Sequence, residues 1–300
     1  MPTDATLAWV ARVALPDGRV GDAAPLAEPT SPWWVQVDSP AESTRVVVRA
    51  RVDGHESSRL IEVERAALES AGRAGVAAPR FVAADPSGSV ASQPAIVSGL
   101  VEGSSAVPTV ATAERLRALG RAVGTLAVCP PVADLPRRTR PLEDVDFYAM
   151  WRDSDAGEPW TTALRIIDEH RPTATPDALV HGDCWHGNSM WVGDDFRGFI
   201  DWDAAGTGNA GIDLGTMRLD AAFFFGVEAV DEVVVGWAET SGRAATDLPY
   251  WDLVAALTSP VDLGMWLPNL QRLGRPDLDV ALLTARREEF VRGALVAAVR

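Results

Sequence analysis

At 300 residues, 47% hydrophobic and 23% charged, the chain has apolar material for one large core or two lobes, and lacks the bias of a disordered, collagenous or coiled-coil sequence. No apolar run approaches the roughly 20 residues of a membrane helix, and two cysteines, Cys129 and Cys184, are too few for a disulfide framework, which points to a reduced, cytoplasmic setting. Every one of the 27 basic residues is arginine, and the net charge of −15 sits wholly in residues 141–300, where 12 arginines face 27 acids; this argues against a nucleic-acid partner.

The opening "MPTDATLAWVARVALPDG" carries an acid and an arginine and makes a poor signal peptide. The first 55 residues read as strands and turns, beginning with "TLAWVARVAL" and the turn "PDG". "WWVQVD" and "TRVVVRAR" flank the polar turn "SPAES" as a hairpin; in the second strand Arg45, Val47, Arg49 and Arg51 share one face, and Val46, Val48 and Ala50 the other. A helix over roughly 57–71 follows, with Leu60, Val63, Ala67 and Ala71 at helical spacing, Ser57 or Ser58 as cap and Gly72 as terminator. Glu64 falls on that apolar stripe, where a carboxylate needs a partner. "APRFVAAD" and "QPAIVSGLVEG" are strand-like, and the second ends in a Gly-containing connection. Beyond it the pattern is helical: "TATAERLRALGRAVGTLAV" with Thr112 as cap, a proline-rich loop at 130–145, "TTALRIIDEH", and three helical stretches after residue 213. Trp237, Trp251 and Trp266 lie in those stretches, where core packing explains them better than substrate stacking, with the lining of an acceptor pocket as the alternative for some of them.

Between the helices stands "LVHGDCWHGNSMWVGDDFRGFIDWD", residues 179–203. "ALV" is a short strand, "HGDCWHGN" is too polar and Gly-rich to continue it, and "SMWV", "GDD" and "FRGFI" form a β-hairpin. Asp183, Asn188 and Asp201 therefore sit at loop ends around one hairpin, whose closure can bring Asn188 and Asp201 together although they are 13 residues apart. Two carboxylates and an amide so arranged suit phosphoryl transfer, which requires positioning of a hydroxyl and neutralisation of phosphate charge. Asn and Asp oxygens suit Mg²⁺, and a second Asp can take the acceptor's proton. His181, Cys184 and His186 lack the second Cys/His cluster of a zinc site; Cys184 and Trp185 read as scaffolding, and Asp194 and Asp195 as a solvated hairpin tip.

H-G-D-x-x-x-x-N at 181–188, "IDWD" at 200–203 and "DLG" at 213–215 resemble the aminoglycoside phosphotransferase and choline kinase-like family, a small-molecule branch of the protein kinase-like fold. The resemblance implies an α/β (α+β) two-lobed protein kinase-like fold: a small antiparallel-sheet N-lobe with one helix, residues 1–103, for nucleotide, and a larger, mostly helical C-lobe, residues 104–300, for catalysis and acceptor binding. It further implies Asp183 as catalytic base, Asn188 and Asp201 as Mg²⁺ ligands, and His181 and Asp213 as braces of the catalytic loop; Asp203 stays open between a place behind the metal and loop bracing. Arg49 falls where the family places its phosphate-contacting base and Glu64 where the fold places that base's partner. "IVSGLVEG" fits the hinge whose backbone meets adenine, with Ser98 and Leu100 as the contact positions.

The expected function is Mg²⁺-dependent transfer of a phosphoryl group from ATP, or GTP, to a hydroxyl of a small molecule, without nucleic-acid or membrane partners. The acidic second part favours a cationic acceptor such as an aminoglycoside or amino alcohol. Two features depart from the family pattern: arginine replaces lysine at position 49, and "PLAEPTSPWW" has no glycine where a nucleotide loop is expected, offering Thr30 and Ser31 between prolines instead. The second departure keeps an alternative open, a catalytically impaired nucleotide-binding pseudokinase or sensor. A protein kinase fits less well, since "IDWD" runs within 10 residues to "DLG" with no "APE"-like segment between.

Overall fold

A computed structural model describes residues 1–26, 32–52, 54–170, 172 and 177–298. The chain divides into two compact units, one formed by residues 1–102 with 200–203, the other by 103–199 with 204–300. The first is sheet-rich and the second larger and helical, in the two-lobed manner of kinase-like α+β folds. Thr30, Ser31 and the rest of "AEPTS" lie outside the described residues.

The first unit starts with a helix, α1 (Asp4–Ala14), where the sequence reading expected a strand. Its β-branched and aromatic residues suggested extended chain, but the buried residues Thr6, Trp9 and Val10 recur at three- and four-residue intervals, which is a helical stripe. Thr3 caps the helix by accepting from the Thr6 N–H at 3.1 Å, and Thr6 Oγ1 donates to the Ala91 carbonyl at 2.7 Å. Strands β1 (Arg19–Pro25), β2 (Trp33–Asp38) and β3 (Ser43–Ala50) follow, then helix α2 (His55–Ala74) and strands β4 (Phe81–Asp85) and β5 (Ala95–Gly99). They form one antiparallel sheet in the order β1-β2-β3-β5-β4. Val46, Val48 and Ala50 of β3 are buried on the face that packs, with Val35, Val37 and Val97, against Trp9 and Val10 of α1. The opposite face presents Arg49. Among its described residues the unit has two helices where one was expected. Helix α2 begins at Gly54 with no side-chain cap, so Ser57 and Ser58 lie inside it, and it runs past Gly72 to Gly75, which closes it at φ 72°.

The second unit contains α3 (Ala113–Ala127), the short strand β6 (Arg137–Arg138), α4 (Phe147–Arg152), α5 (Trp160–Glu169), β7 (Ala178–Val180), the hairpin β8 (Ser189–Val192) and β9 (Asp195–Phe199), β10 (Gly206–Gly208), then α6 (Gly211–Phe225), α7 (Val230–Ser241), α8 (Leu248–Leu257), α9 (Leu267–Arg272) and α10 (Val280–Ala298). Thr112 caps α3 as the sequence indicates, accepting from the Arg115 N–H at 3.1 Å. Strand β10 sits between β6 and β7. The core is built from α5, α6, α8 and α10; within it Trp151 and Trp160 stack at 4.0 Å, with the Arg287 guanidinium 4.9 Å from the Trp151 ring centre. Gly215 lets α6 approach α8: a Cβ there would lie 2.4 Å from the Trp251 carbonyl oxygen. Among the described residues, no helix is long and apolar enough to cross a membrane.

Candidate active site

In the second unit the chain leaves β7 at Val180 and turns through His181, Gly182 and Asp183. Gly182 has φ 80°, and a Cβ on it would fall 2.2 Å from the Ala204 carbonyl oxygen, so both the backbone conformation and the close approach require glycine. Asp213, in the first turn of α6 and 2% exposed, receives the N–H groups of His181 at 2.7 Å and Gly182 at 2.9 Å. Its carboxyl is pushed up to about 6 by burial, which outweighs those two N–H groups and the Cys184 thiol. Two turns along the same helix, Asp220 receives the His186 N–H at 2.7 Å and pairs through Oδ2 with His186 Nδ1. Residues seven apart share a helix face, so one face of α6 fastens both ends of the 181–186 loop.

Asp183 emerges between these anchors. Its N–H donates to His181 Nδ1 at 3.3 Å. Asn188 closes the turn: its Nδ2 donates to the Asp183 carboxylate at 2.8 Å and to the Asp183 carbonyl at 3.0 Å. The asparagine thereby holds Asp183 at both its side chain and its carbonyl. The hairpin after it pairs Ser189 with Phe199. His181 is fully buried and sits 5.6 Å from the Phe199 ring. Cys184 is also buried, its thiol pushed well up by burial and by the neighbouring Asp213 and Asp183.

Asp183 also forms part of the wall of a cavity of about 200 Å³. Trp185, Leu219, Phe223, Phe224, Trp266 and Leu270 supply much of the lining. Trp185, read as scaffolding, lines this cavity together with Trp266, while Trp237 and Trp251 are buried in the core.

In the first unit, Arg49 projects from β3 toward three carboxylates on three different nitrogens. Nε lies 3.2 Å from Glu64 of α2, outside hydrogen-bond alignment; Nη2 donates to Asp201 at 2.6 Å; Nη1 lies 3.5 Å from Asp203. Burial works against the Arg49 charge, but the fields of Glu64, Asp201 and Asp203 outweigh it and hold the guanidinium above its ordinary range. Burial likewise lifts the Glu64 carboxyl to about 7, with Arg49 opposing and the two aspartates adding. Arg51, two residues on and on the same strand face, also pairs with Asp203. Asp201 is held at φ 67°, a left-handed conformation unusual outside glycine and one that clusters at functional sites. Ser98 lies in β5 between Val47 and Phe81, and Leu100 is one residue past that strand.

The structure thus gathers His181, Asp183, Asn188 and Asp213 in one unit, and Arg49, Glu64, Asp201 and Asp203 in the other. Sequence reasoning missed Arg51, Trp185, His186 and Asp220. Arg51 had a signal in its alternation with Arg49, and Asp220 had one in standing seven residues after Asp213 within an apolar helix.

A model of the phosphotransferase enzyme family matches residues 22–277. The chain belongs to that family. No curated protein sequence matches it significantly. Among solved structures, this phosphotransferase-family chain is similar to a macrolide 2′-phosphotransferase from Brachybacterium faecium, with 17% identity, a TM-score of 0.62 and coverage of 95% of this chain and 97% of that one. It is similar also to a protein described as an aminoglycoside phosphotransferase from Ralstonia eutropha, with 15% identity, a TM-score of 0.60 and coverage of 97% and 95%. A choline kinase from Streptococcus pneumoniae aligns at 11% identity and a TM-score of 0.54 over 93% and 94% of the two chains. At such identities these likenesses establish the fold.

Proposed function

We propose that this phosphotransferase-family protein is a small-molecule kinase that moves the γ-phosphoryl group of ATP, or GTP, onto an alcohol. The observation that carries the reading is Asp183: a carboxylate gripped by Asn188 at 2.8 Å, on a loop pinned by Asp213 and Asp220, and exposed to a cavity in which an acceptor can lie. The acceptor oxygen bonds to the γ-phosphorus as the bond from that phosphorus to the β,γ-bridging oxygen breaks. The hydroxyl proton passes to Asp183, nucleoside diphosphate leaves, and the product is a phosphomonoester. The loop anchors hold Asp183 in place, so little reorganisation is required of it during the transfer.

Arg49 and Arg51 supply positive charge for the nucleotide phosphates, with Glu64 orienting Arg49. The adenine edge would meet the backbone where β5 ends, at Ser98 and Leu100. Asn188 and Asp201 would hold Mg²⁺. Their amide and carboxylate oxygens are the hard donors that ion takes, and Asp201 is 39% exposed at its side chain. An ion held there would complete its shell with water and phosphate oxygens. When bound, Mg²⁺ neutralises charge on the phosphates. Asp203, paired with both arginines, orients them.

The test is transfer of radiolabel from [γ-³²P]ATP or GTP to a panel of aminoglycosides, macrolides, amino alcohols, sugars and apolar alcohols. Label should appear on an acceptor with wild type and fall at least a hundredfold with Asp183→Asn. Equal behaviour of the two proteins throughout, with nucleotide bound by both, would remove the enzymatic reading and leave the nucleotide sensor.

A further inference from the structure

The acidic second part of the sequence points to a cationic acceptor, but the cavity beside Asp183 is built otherwise. Among the described residues that line it, the ionisable ones are Asp183 and Asp220. Asp183 is engaged by Asn188, and Asp220 takes both the His186 N–H and the His186 ring on its Oδ2. The two threonine hydroxyls of the wall are turned toward the protein. Thr216 Oγ1 donates to the Ile212 carbonyl at 2.8 Å, and Thr258 Oγ1 donates to the Val254 carbonyl at 2.8 Å. Asn269 Oδ1 accepts from Arg272. Most of the surface facing the cavity is hydrocarbon and aromatic ring, including Leu142, Leu219, Phe223, Trp266, Leu270 and Leu283. Phe223 and Trp266 meet edge to face at 5.7 Å.

A polyamine-polyol entering this space would give up water around each ammonium and hydroxyl and recover few partners. A ring-bearing hydrocarbon body gains by the same exchange, because the wall offers contact area and holds water weakly.

We propose that the acceptor is an amphiphilic alcohol, with a hydrocarbon ring body seated against Trp266, Phe223 and Leu270, its reacting hydroxyl at Asp183, and no more than one amine, placed at Asp220. This names the substrate class of the kinase proposed above and rests on that reading. The acidity of residues 141–300 then serves the outer surface and not the acceptor.

Binding is measured on the full chain without nucleotide, by titration calorimetry and tryptophan fluorescence. Menthol, borneol and cedrol serve as apolar ring alcohols and kanamycin as the polyamine-polyol. At least one ring alcohol is expected to bind ten times or more tighter than kanamycin, and Trp266→Ala to weaken it at least tenfold. Trp266 is only half-buried, and circular dichroism is to establish that the variant is folded; Leu270→Ala is the second variant and should weaken the same ligand. The proposal is overturned if kanamycin binds as tightly as the best ring alcohol. It is overturned equally if none of the three alcohols binds at their solubility limit, or if both variants bind them as wild type does. Because nucleotide is absent, alcohol binding without label transfer would count against the kinase reading alone. Label transfer to kanamycin without alcohol binding would keep the kinase and remove this acceptor class.

Discussion

Replacing Asp213 by asparagine keeps the shape of the side chain and removes its charge at the point where α6 grips the 181–186 loop. In the wild-type protein, burial lifts this carboxyl from 3.8 to about 6. A folded-state value above the unfolded one gives stability that is complete below pH ~4 and is lost as pH rises through about 6. The shift is about two units, or about 3 kcal/mol in full, and about half of that falls between pH 5 and pH 8. Asparagine does not titrate. Urea denaturation at pH 5, 6, 7 and 8, followed by circular dichroism, should therefore show wild type losing about 1.4 kcal/mol relative to Asp213→Asn across that range. The variant should also turn over more slowly at every pH, since asparagine can accept only one of the two N–H groups that position Asp183. A wild-type-to-variant difference that stays flat from pH 5 to pH 8 would refute the reasoning, because it would mean that burial does not govern this carboxyl.

Arg49→Lys retains one positive charge but cannot address Glu64, Asp201 and Asp203 from three nitrogens, so Mg-ATP affinity by calorimetry should fall about tenfold or more. In the second unit, Asp252→Ala leaves the buried Arg218 guanidinium without its bidentate partner, now at 2.9 and 3.0 Å, and should cost about 3–5 kcal/mol in urea unfolding. Asp220→Asn should loosen the far end of the 181–186 loop and, on the proposed function, lower kcat several-fold with an unchanged KM for nucleotide in steady-state assays. Gly215→Ala places a methyl group against the Trp251 backbone and should lower stability by about 1–3 kcal/mol, visible as a reduced Tm.

The parts of the fold that could be read from sequence were those with a single physical explanation. The alternation of Arg45, Val47, Arg49 and Arg51 against Val46, Val48 and Ala50 allows one orientation of the strand, and the structure has it. Glu64 on an apolar helical stripe demanded a cation, and Arg49 stands 3.2 Å away. The first helix was misread because Trp9, Val10 and Val13 favour strands by type while their spacing favours a helix, and the capping by Thr3 and burial against the sheet decided the matter. Strand β1, with Gly21, Asp22 and a register shift between Val20 and Asp22, has no clean period to detect. Of the cavity beyond Asp183, only Trp266 was a candidate in the sequence: the walls come from loops and helices far apart in the chain, and Thr216 and Thr258 look like polar lining until their hydroxyls are seen to point into the helix backbone.

The guanidinium at position 49 also determines which reagents can mark the site. Acylating nucleotide probes rely on a nucleophilic amine beside the phosphates, and this chain has no lysine side chain anywhere to offer one. A guanidinium held above its ordinary pKa range stays protonated and is a poor nucleophile, so such probes should leave the protein unmodified even when they occupy it. Arginine-directed dicarbonyls are the reagents of choice, and Arg49, sheltered by three carboxylates, should react with them more slowly than the exposed arginines. The absence of an amine-labelling signal would therefore be no sign that nucleotide fails to bind.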